Sequence, residues 1–211
     1  PNGLMARWWQ AVGAALALAC LVEGAKDQAT GISFPDTYGG AKLAGVGTRY
    51  KGPLKIYSAG VYVNPTLTKF KLGKYKGTPV DAVKQDFYQD LVKADVAKTI
   101  VLKMAMGISR EKLASALSDS VKPRMVGDLA AVPKFAEAIL AGFAAGGKAS
   151  SGTELAFGLK GSSMCVSVNG KPCGAIKSPA LVSALLRCYL DDKAVSPALK
   201  KACAHGVLGM L

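Results

Sequence analysis

Hydrophobic and polar positions alternate most regularly between Leu54 and Val63, in LKIYSAGVYV. The run is rich in β-branched and aromatic residues, so it predicts a strand. Upstream, ISFPDTYGGAKLAGVGTRY reads as short strands punctuated by proline and Gly39-Gly40. In VDAVKQDFYQDLVKA the apolar positions Val80, Val83, Phe87 and Leu91 form a helical stripe. KTIVLKMAM reads as another strand. SREKLASALSDSVKPRM opens on Ser109, a helix N-cap, with Leu113 and Leu117 on one face. VPKFAEAILAGFAA predicts a further helix, closed by Gly146-Gly147. TELAFGL, SMCVSVNG and KPCGAIKS read as three strands joined by tight turns, and Asn169-Gly170 is the strongest hairpin signal in the chain. SPALVSALLRCYL and SPALKKACAHGVLGML predict two helices, each opened by a serine cap and a proline. Strands, helices, strands and helices in that order imply an α+β domain with a largely antiparallel sheet. Leu113, Leu117, Phe135, Ile139, Phe143, Leu181, Leu185 and Leu186 are the expected contacts of helices with that sheet.

The N-terminus follows a different pattern. From Trp8 to Val22 the chain is apolar apart from Gln10, with Arg7 ahead of the run. Those 15 residues fall short of the roughly 20 that span a bilayer and match a signal h-region. ALA at Ala17–Ala19 and VEG at Val22–Gly24 both suit cleavage. Residues 1–26 therefore read as a hydrophobic targeting segment, a retained anchor or a buried helix, and residues 27–211 as the folded domain.

Charge narrows the function classes. The chain of 211 residues carries 27 Lys+Arg against 14 Asp+Glu, a formal net charge of +13. A basic balance suits nucleic acid or an anionic membrane surface. No zinc-finger spacing and no RNA-recognition signature occurs, so nucleic acid is not the expected partner. The densest basic run, TKFKLGKYKG, holds Lys69, Lys71, Lys74 and Lys76. It reads as the solvent side of a strand and turn, with an anionic lipid or acidic partner as the alternative. Five cysteines without a CxxC, and His205 as the single histidine, argue against a metal site. Cys165 and Cys173 flank the turn in VNGKPC; they admit either a disulfide or two free, small thiols.

Candidate chemistry sits in the stretch from Gly45 to Val63. Alternation puts Leu54, Ile56, Ser58, Gly60 and Tyr62 on one face of the predicted strand. If that face closes a cavity, Ser58 and Tyr62 are its polar points. Arg49 lies just before the turn KGP, on or beside the neighbouring strand. Its guanidinium fork matches a carboxylate, and a tyrosine hydroxyl adds a hydrogen bond without adding charge. The residues alone also fit a structural role, with Arg49 paired to an acid such as Asp36 and Tyr62 an ordinary half-buried tyrosine. A single histidine excludes most catalytic triads, and neither a GxGxxG nor a P-loop occurs.

The ordered set of GVGTRYKGPLKIYSAGVYV, SREKLASAL…PKFAEAILAGF and NGKPCGAIKSPALVSALLRCYLDDKAVSPALKKACAHGVLGML resembles the chalcone isomerase fold family across most of Ile32 to Leu211. The resemblance implies an open-faced β-sandwich: a large antiparallel sheet with helices layered on one face. The family holds true isomerases, plastid fatty-acid-binding proteins and non-catalytic relatives, some of them membrane-anchored and mitochondrial. The short gap from Arg49 to Ser58 is similar to that of the fatty-acid binders. Their arginine and tyrosine, which grip the carboxylate, would be Arg49 and Tyr62. The isomerases' catalytic threonine matches Ser58, their catalytic tyrosine position holds Ile108, and their asparagine becomes Ala114 or Ala116. The resemblance thus implies a non-catalytic binder of a fatty acid or similar lipid anion, with Arg49, Tyr62 and Ser58 as its ligand-binding residues. An accessory subunit of an organellar membrane complex stands second and a catalytic isomerase third. The implied location is an organelle, plastid before mitochondrion, with membrane association, a lumenal site or a secretory route as variants. No cofactor is expected; some anchored relatives are associated with haem, for which His205 would be the sole histidine ligand.

Overall fold

The computed structural model describes residues 24–211. The segment from Trp8 to Val22, with Cys20, lies outside the described residues, and so does the choice between signal, anchor and buried helix.

Seven strands form one antiparallel sheet. They are β3 (Thr37–Tyr38), β4 (Ala41–Lys51), β5 (Leu54–Val63), β6 (Lys98–Met104), β9 (Glu154–Lys160), β10 (Ser163–Val168) and β11 (Lys171–Lys177), in the order β11-β10-β9-β6-β5-β4-β3. Strand β5 is interior, between β4 and β6. Two short ribbons accompany the sheet, β1 (Ala25–Lys26) with β2 (Ser33–Phe34) and β7 (Ile108–Ser109) with β8 (Lys148–Ala149). The β10–β11 hairpin turns at Asn169-Gly170, both at positive φ (48° and 76°), the geometry that a two-residue primed turn needs and that Asn-Gly accepts.

Among the described residues there are six α-helices: α1 (Pro65–Leu72), α2 (Gln85–Lys93), α3 (Arg110–Val121), α4 (Ala131–Leu140), α5 (Pro179–Leu190) and α6 (Pro197–Met210). The Ser109, Ser178 and Ser196 side chains cap α3, α5 and α6 by accepting from the backbone N–H three residues on. All eight expected contact residues take part in the core between sheet and helices, Phe143 being the one only partly buried.

Three elements differ from the sequence pattern. The lysine-rich segment begins as helix α1, not as a strand, because Asn64 accepts from Leu67 N at 2.9 Å and Pro65 fits the first turn. The stripe that starts at Val80 becomes helical only from Gln85. Val80–Ala82 make one 3₁₀ turn and Val83 is extended, in keeping with the poor helix propensity of valine. Helix α4 ends at Leu140, six residues before Gly146. Cys165 and Cys173 are free thiols.

The glycines of GVG serve packing. Gly45 and Gly47 leave two positions on the helix-side surface of β4 without side chains, and α6 lies directly on them. A Cβ on Gly47 would stand 2.4 Å from Leu199 N, and one on Gly45 would stand 2.5 Å from Ala202 C. Gly206 answers from the helix, where a Cβ would meet Ala44 O at 1.9 Å.

The other face of the sheet is also covered. Phe34, Ala41, Tyr62, Val101 and Ala156 form a second buried cluster there, with Ile32, Tyr38, Leu43 and Val46 packed around it. Residues 27–36 lie across it as a strap. The strap is fastened at Asp27, which is 6% exposed and accepts hydrogen bonds from Thr48, from Ser58 at 2.5 Å and from Thr30 at 3.0 Å.

Candidate functional site

Directly opposed residues of paired strands share a face of the sheet. Arg49 opposes Tyr57, and Thr48 opposes Ser58. One step of register therefore separates two chemistries. Arg49 and Tyr57 face the helices, whereas Thr48, Ser58 and Tyr62 face the strap.

On the helix side, Arg49 lies two residues beyond Gly47, past the point where Leu199 seats on β4. There it borders a cleft of about 840 Å³ between the β4–β5 hairpin and α3. Lys51, Ile56 and Tyr57 complete the sheet wall. Ile108 and the α3 residues Glu111, Lys112, Leu113, Ser115, Ala116, Leu117, Asp119 and Ser120 form the other wall. The apolar lining comes from Ile56, Ile108, Leu113, Ala116 and Leu117. The acids sit with their own partners: Glu111 takes Arg110 at 2.7 Å, and Asp119 accepts from Ser115 at 3.3 Å.

Tyr57 is 3% exposed and its hydroxyl lies 3.1 Å from that of Tyr189, on α5. Burial pushes the Tyr57 phenol up to about 12; the Arg49 guanidinium and the Tyr189 hydroxyl pull in the opposite sense. Burial raises Tyr189 still more clearly, with the neighbouring Tyr57 adding to the effect. Both phenols are thus neutral hydrogen-bond donors at physiological pH. Next to them Cys188, raised to about 12 by burial, donates to Ser120 O at 3.1 Å and is a protonated, inert thiol. Arg49 is the one permanent charge beside this neutral pair. Among the described residues no carboxylate stands within 4.0 Å of it. Asp36 does not serve as its partner, because Asp36 belongs to the strap on the opposite face.

Ser58 and Tyr62 are not brought together with Arg49. Ser58 is fully buried, bonded to Asp27 and to Thr30 Oγ1 at 2.5 Å. Burial raises the Asp27 carboxyl, but the hydrogen bonds from Ser58, Thr48, the Ala29 N–H and Thr30 outweigh it and leave the group below its ordinary value. Tyr62 is also fully buried, donates to Pro35 O at 3.0 Å and packs against Tyr38 with ring centroids 5.5 Å apart. Both residues hold the strap. The tyrosine that shares the cleft with Arg49 is Tyr57, on the opposite parity of LKIYSAGVYV with Ala59, Val61 and Val63, which join the main core; the alternation separates the two tyrosines without saying which parity the helices cover. Of the positions compared with the isomerases, Ile108 and Ala116 line the cleft and Ala114 is buried in the core. His205 is exposed on α6, and among the described residues no His, Cys, Asp and Glu cluster suits a metal ion. No described helix is long and apolar enough to cross a membrane.

The sequence model of the chalcone isomerase-like family matches residues 26–203. The chain belongs to that family. Among solved structures it is similar to a fatty-acid binding protein of Arabidopsis thaliana, with 23% sequence identity and a TM-score of 0.78. That similarity covers 89% of this chain and 98% of the other. No curated protein matches the sequence.

Proposed function

We propose that this member of the chalcone isomerase-like family is a non-catalytic carrier that binds a fatty acid or similar lipid anion in the cleft between the β4–β5 hairpin and α3. The observation that carries this reading is Arg49, a guanidinium at an apolar-lined cleft of about 840 Å³ without a carboxylate partner among the described residues. A cation taken partly out of water gains from an anion of its own. The carboxylate binds to Arg49, the neutral Tyr57 hydroxyl donates to it, and Tyr189 holds Tyr57 in place. The acyl chain lies along Ile56, Ile108, Leu113, Ala116 and Leu117. The likeness to a protein named for fatty-acid binding supports this assignment.

The same cleft argues against ring closure of a chalcone. Ile108 and Ala116 place hydrocarbon where the family's isomerases are expected to have donors, and one missing preorganised donor lowers a rate by roughly 10²–10³.

Mass spectrometry of lipid carried by the purified full chain, followed by titration with dodecanoic acid, tests the proposal. Arg49→Ala should lose the bound acid and weaken titrated binding by about 2 kcal/mol, the low end for a charge pair because Arg49 is only half-buried. That is roughly 30-fold in Kd. Equal affinity of Arg49→Ala and the parent would remove the carboxylate clamp.

A further inference from the structure

Helix α1 has a buried side and an exposed apolar side. Thr68 and Leu72 face the protein, while Leu67 and Phe70 face water at 42% and 80% exposure. Leu67 and Phe70 are three residues apart and so neighbours on the helix surface. Lys69 and Lys71 on the helix, and Lys76 after the turn that follows it, are exposed and, among the described residues, free of ion pairs; Lys74 is taken by Asp90 at 2.6 Å. From Asn64 to Pro79 the chain holds no acidic residue. The Lys71 ammonium lies 5.6 Å from the Phe70 ring centroid, so cation and aromatic ring form one surface feature.

We propose that α1 docks this protein on an anionic bilayer, with Phe70 and Leu67 entering the interface and Lys69, Lys71 and Lys76 contacting lipid phosphates. A protruding ring flanked by unpaired lysines suits a plane that is negative at its surface and apolar beneath. The rest of the chain strengthens the attraction through its formal charge of +13. An acidic protein partner would use the same lysines but would meet Phe70 with a pocket of its own. A bilayer needs no such complement, and the single projecting side chain favours it. The inference is independent of what the cleft binds.

The test is flotation of the full chain with phosphatidylcholine vesicles, with and without phosphatidylglycerol. Residues 1–23 are identical in every variant, so differences between variants read α1. Each lysine should contribute about five-fold to partitioning on anionic vesicles. The triple variant Lys69→Gln, Lys71→Gln, Lys76→Gln should therefore lose on the order of 100-fold on them, and stay unchanged on phosphatidylcholine alone. Phe70→Ser should lose on the order of ten-fold, the scale of burying most of one phenyl group. All four positions are exposed, so unchanged thermal melting will show that the variants are folded. Anionic partitioning equal to the parent's in the triple variant overturns the proposal. Equal partitioning of Phe70→Ser overturns it too, since charge alone would then account for the attraction, as with an acidic protein partner.

Discussion

Two tyrosines five positions apart in one strand should respond oppositely to loss of the hydroxyl. Tyr57→Phe removes the donor beside Arg49 and leaves the Tyr189 hydroxyl, 3.1 Å away, without its partner. One neutral hydrogen bond contributes about 0.5–1.5 kcal/mol. Fatty-acid affinity should therefore fall roughly 2- to 13-fold. Tyr62→Phe removes the bond to Pro35 O on the far side of the sheet. It should lower stability by about 1 kcal/mol, a fall in Tm of roughly 2–4 °C for a domain of this size, and leave affinity as it was. Calorimetric titration with dodecanoic acid gives the affinities, and thermal melting of the ligand-free proteins gives the stabilities. Both substitutions keep the ring, so neither opens a cavity. The reasoning is refuted if Tyr62→Phe weakens binding while Tyr57→Phe does not, because the register between β4 and β5 would then not select the site.

Three further outcomes follow from the packing and the strap. Gly47→Ala forces a methyl group to within 2.4 Å of Leu199 N, so α6 must shift from β4; overpacking of this kind costs about 1–3 kcal/mol, and an unchanged Tm would mean that α6 does not sit so close. The folded-state pKa of Asp27 lies below its ordinary 3.8, so its contribution to stability is present above about pH 4 and is lost as the pH falls through the folded value; urea midpoints should drop more steeply with acid in the parent than in Asp27→Asn, and parallel curves would remove the strap's anchor. Ring closure of a chalcone, followed by absorbance, should proceed no faster with the protein than in buffer, and clear turnover would reinstate the isomerase.

Much of the fold was legible because each local signal agreed with the global one. Serine caps set the start of α3, α5 and α6, Asn169-Gly170 set the last hairpin, and the apolar stripe of α4 set the face it buries. Where local signals were weak or competed, the structure departs from the pattern. Asn64-Pro65 is a helix start of the same kind as Ser-Pro, but the lysines that follow carry no apolar stripe longer than Thr68 and Leu72, so nothing in the periodicity marked a helix. The strap could not be foreseen either. Its two-residue strands are too short for an alternation, and its hold on the sheet comes from Asp27, a contact 21 and 31 residues distant from Thr48 and Ser58.

The site shows the same division more sharply. That Arg49 belongs to it follows from residue type and position, since a lone arginine near the end of a strand, next to a turn, invites an anion. That Tyr57 and not Tyr62 joins it depends on which face the helices cover, and a period-two pattern does not say. Both parities of LKIYSAGVYV are buried, one under the helices and one under the strap, so hydrophobicity assigns neither to the cleft. The deciding quantity is the pairing of Arg49 with Tyr57 across β4 and β5, together with the two glycines that hold α6 against the same face. A shift of one residue in that register would turn Arg49 toward Asp27 and bury it among hydroxyls, a place where it would find a carboxylate inside the protein. With the register as it is, Arg49 shares the helix-covered face with the hydrogen-bonded Tyr57–Tyr189 pair, and among the described residues no carboxylate stands within 4.0 Å of its guanidinium.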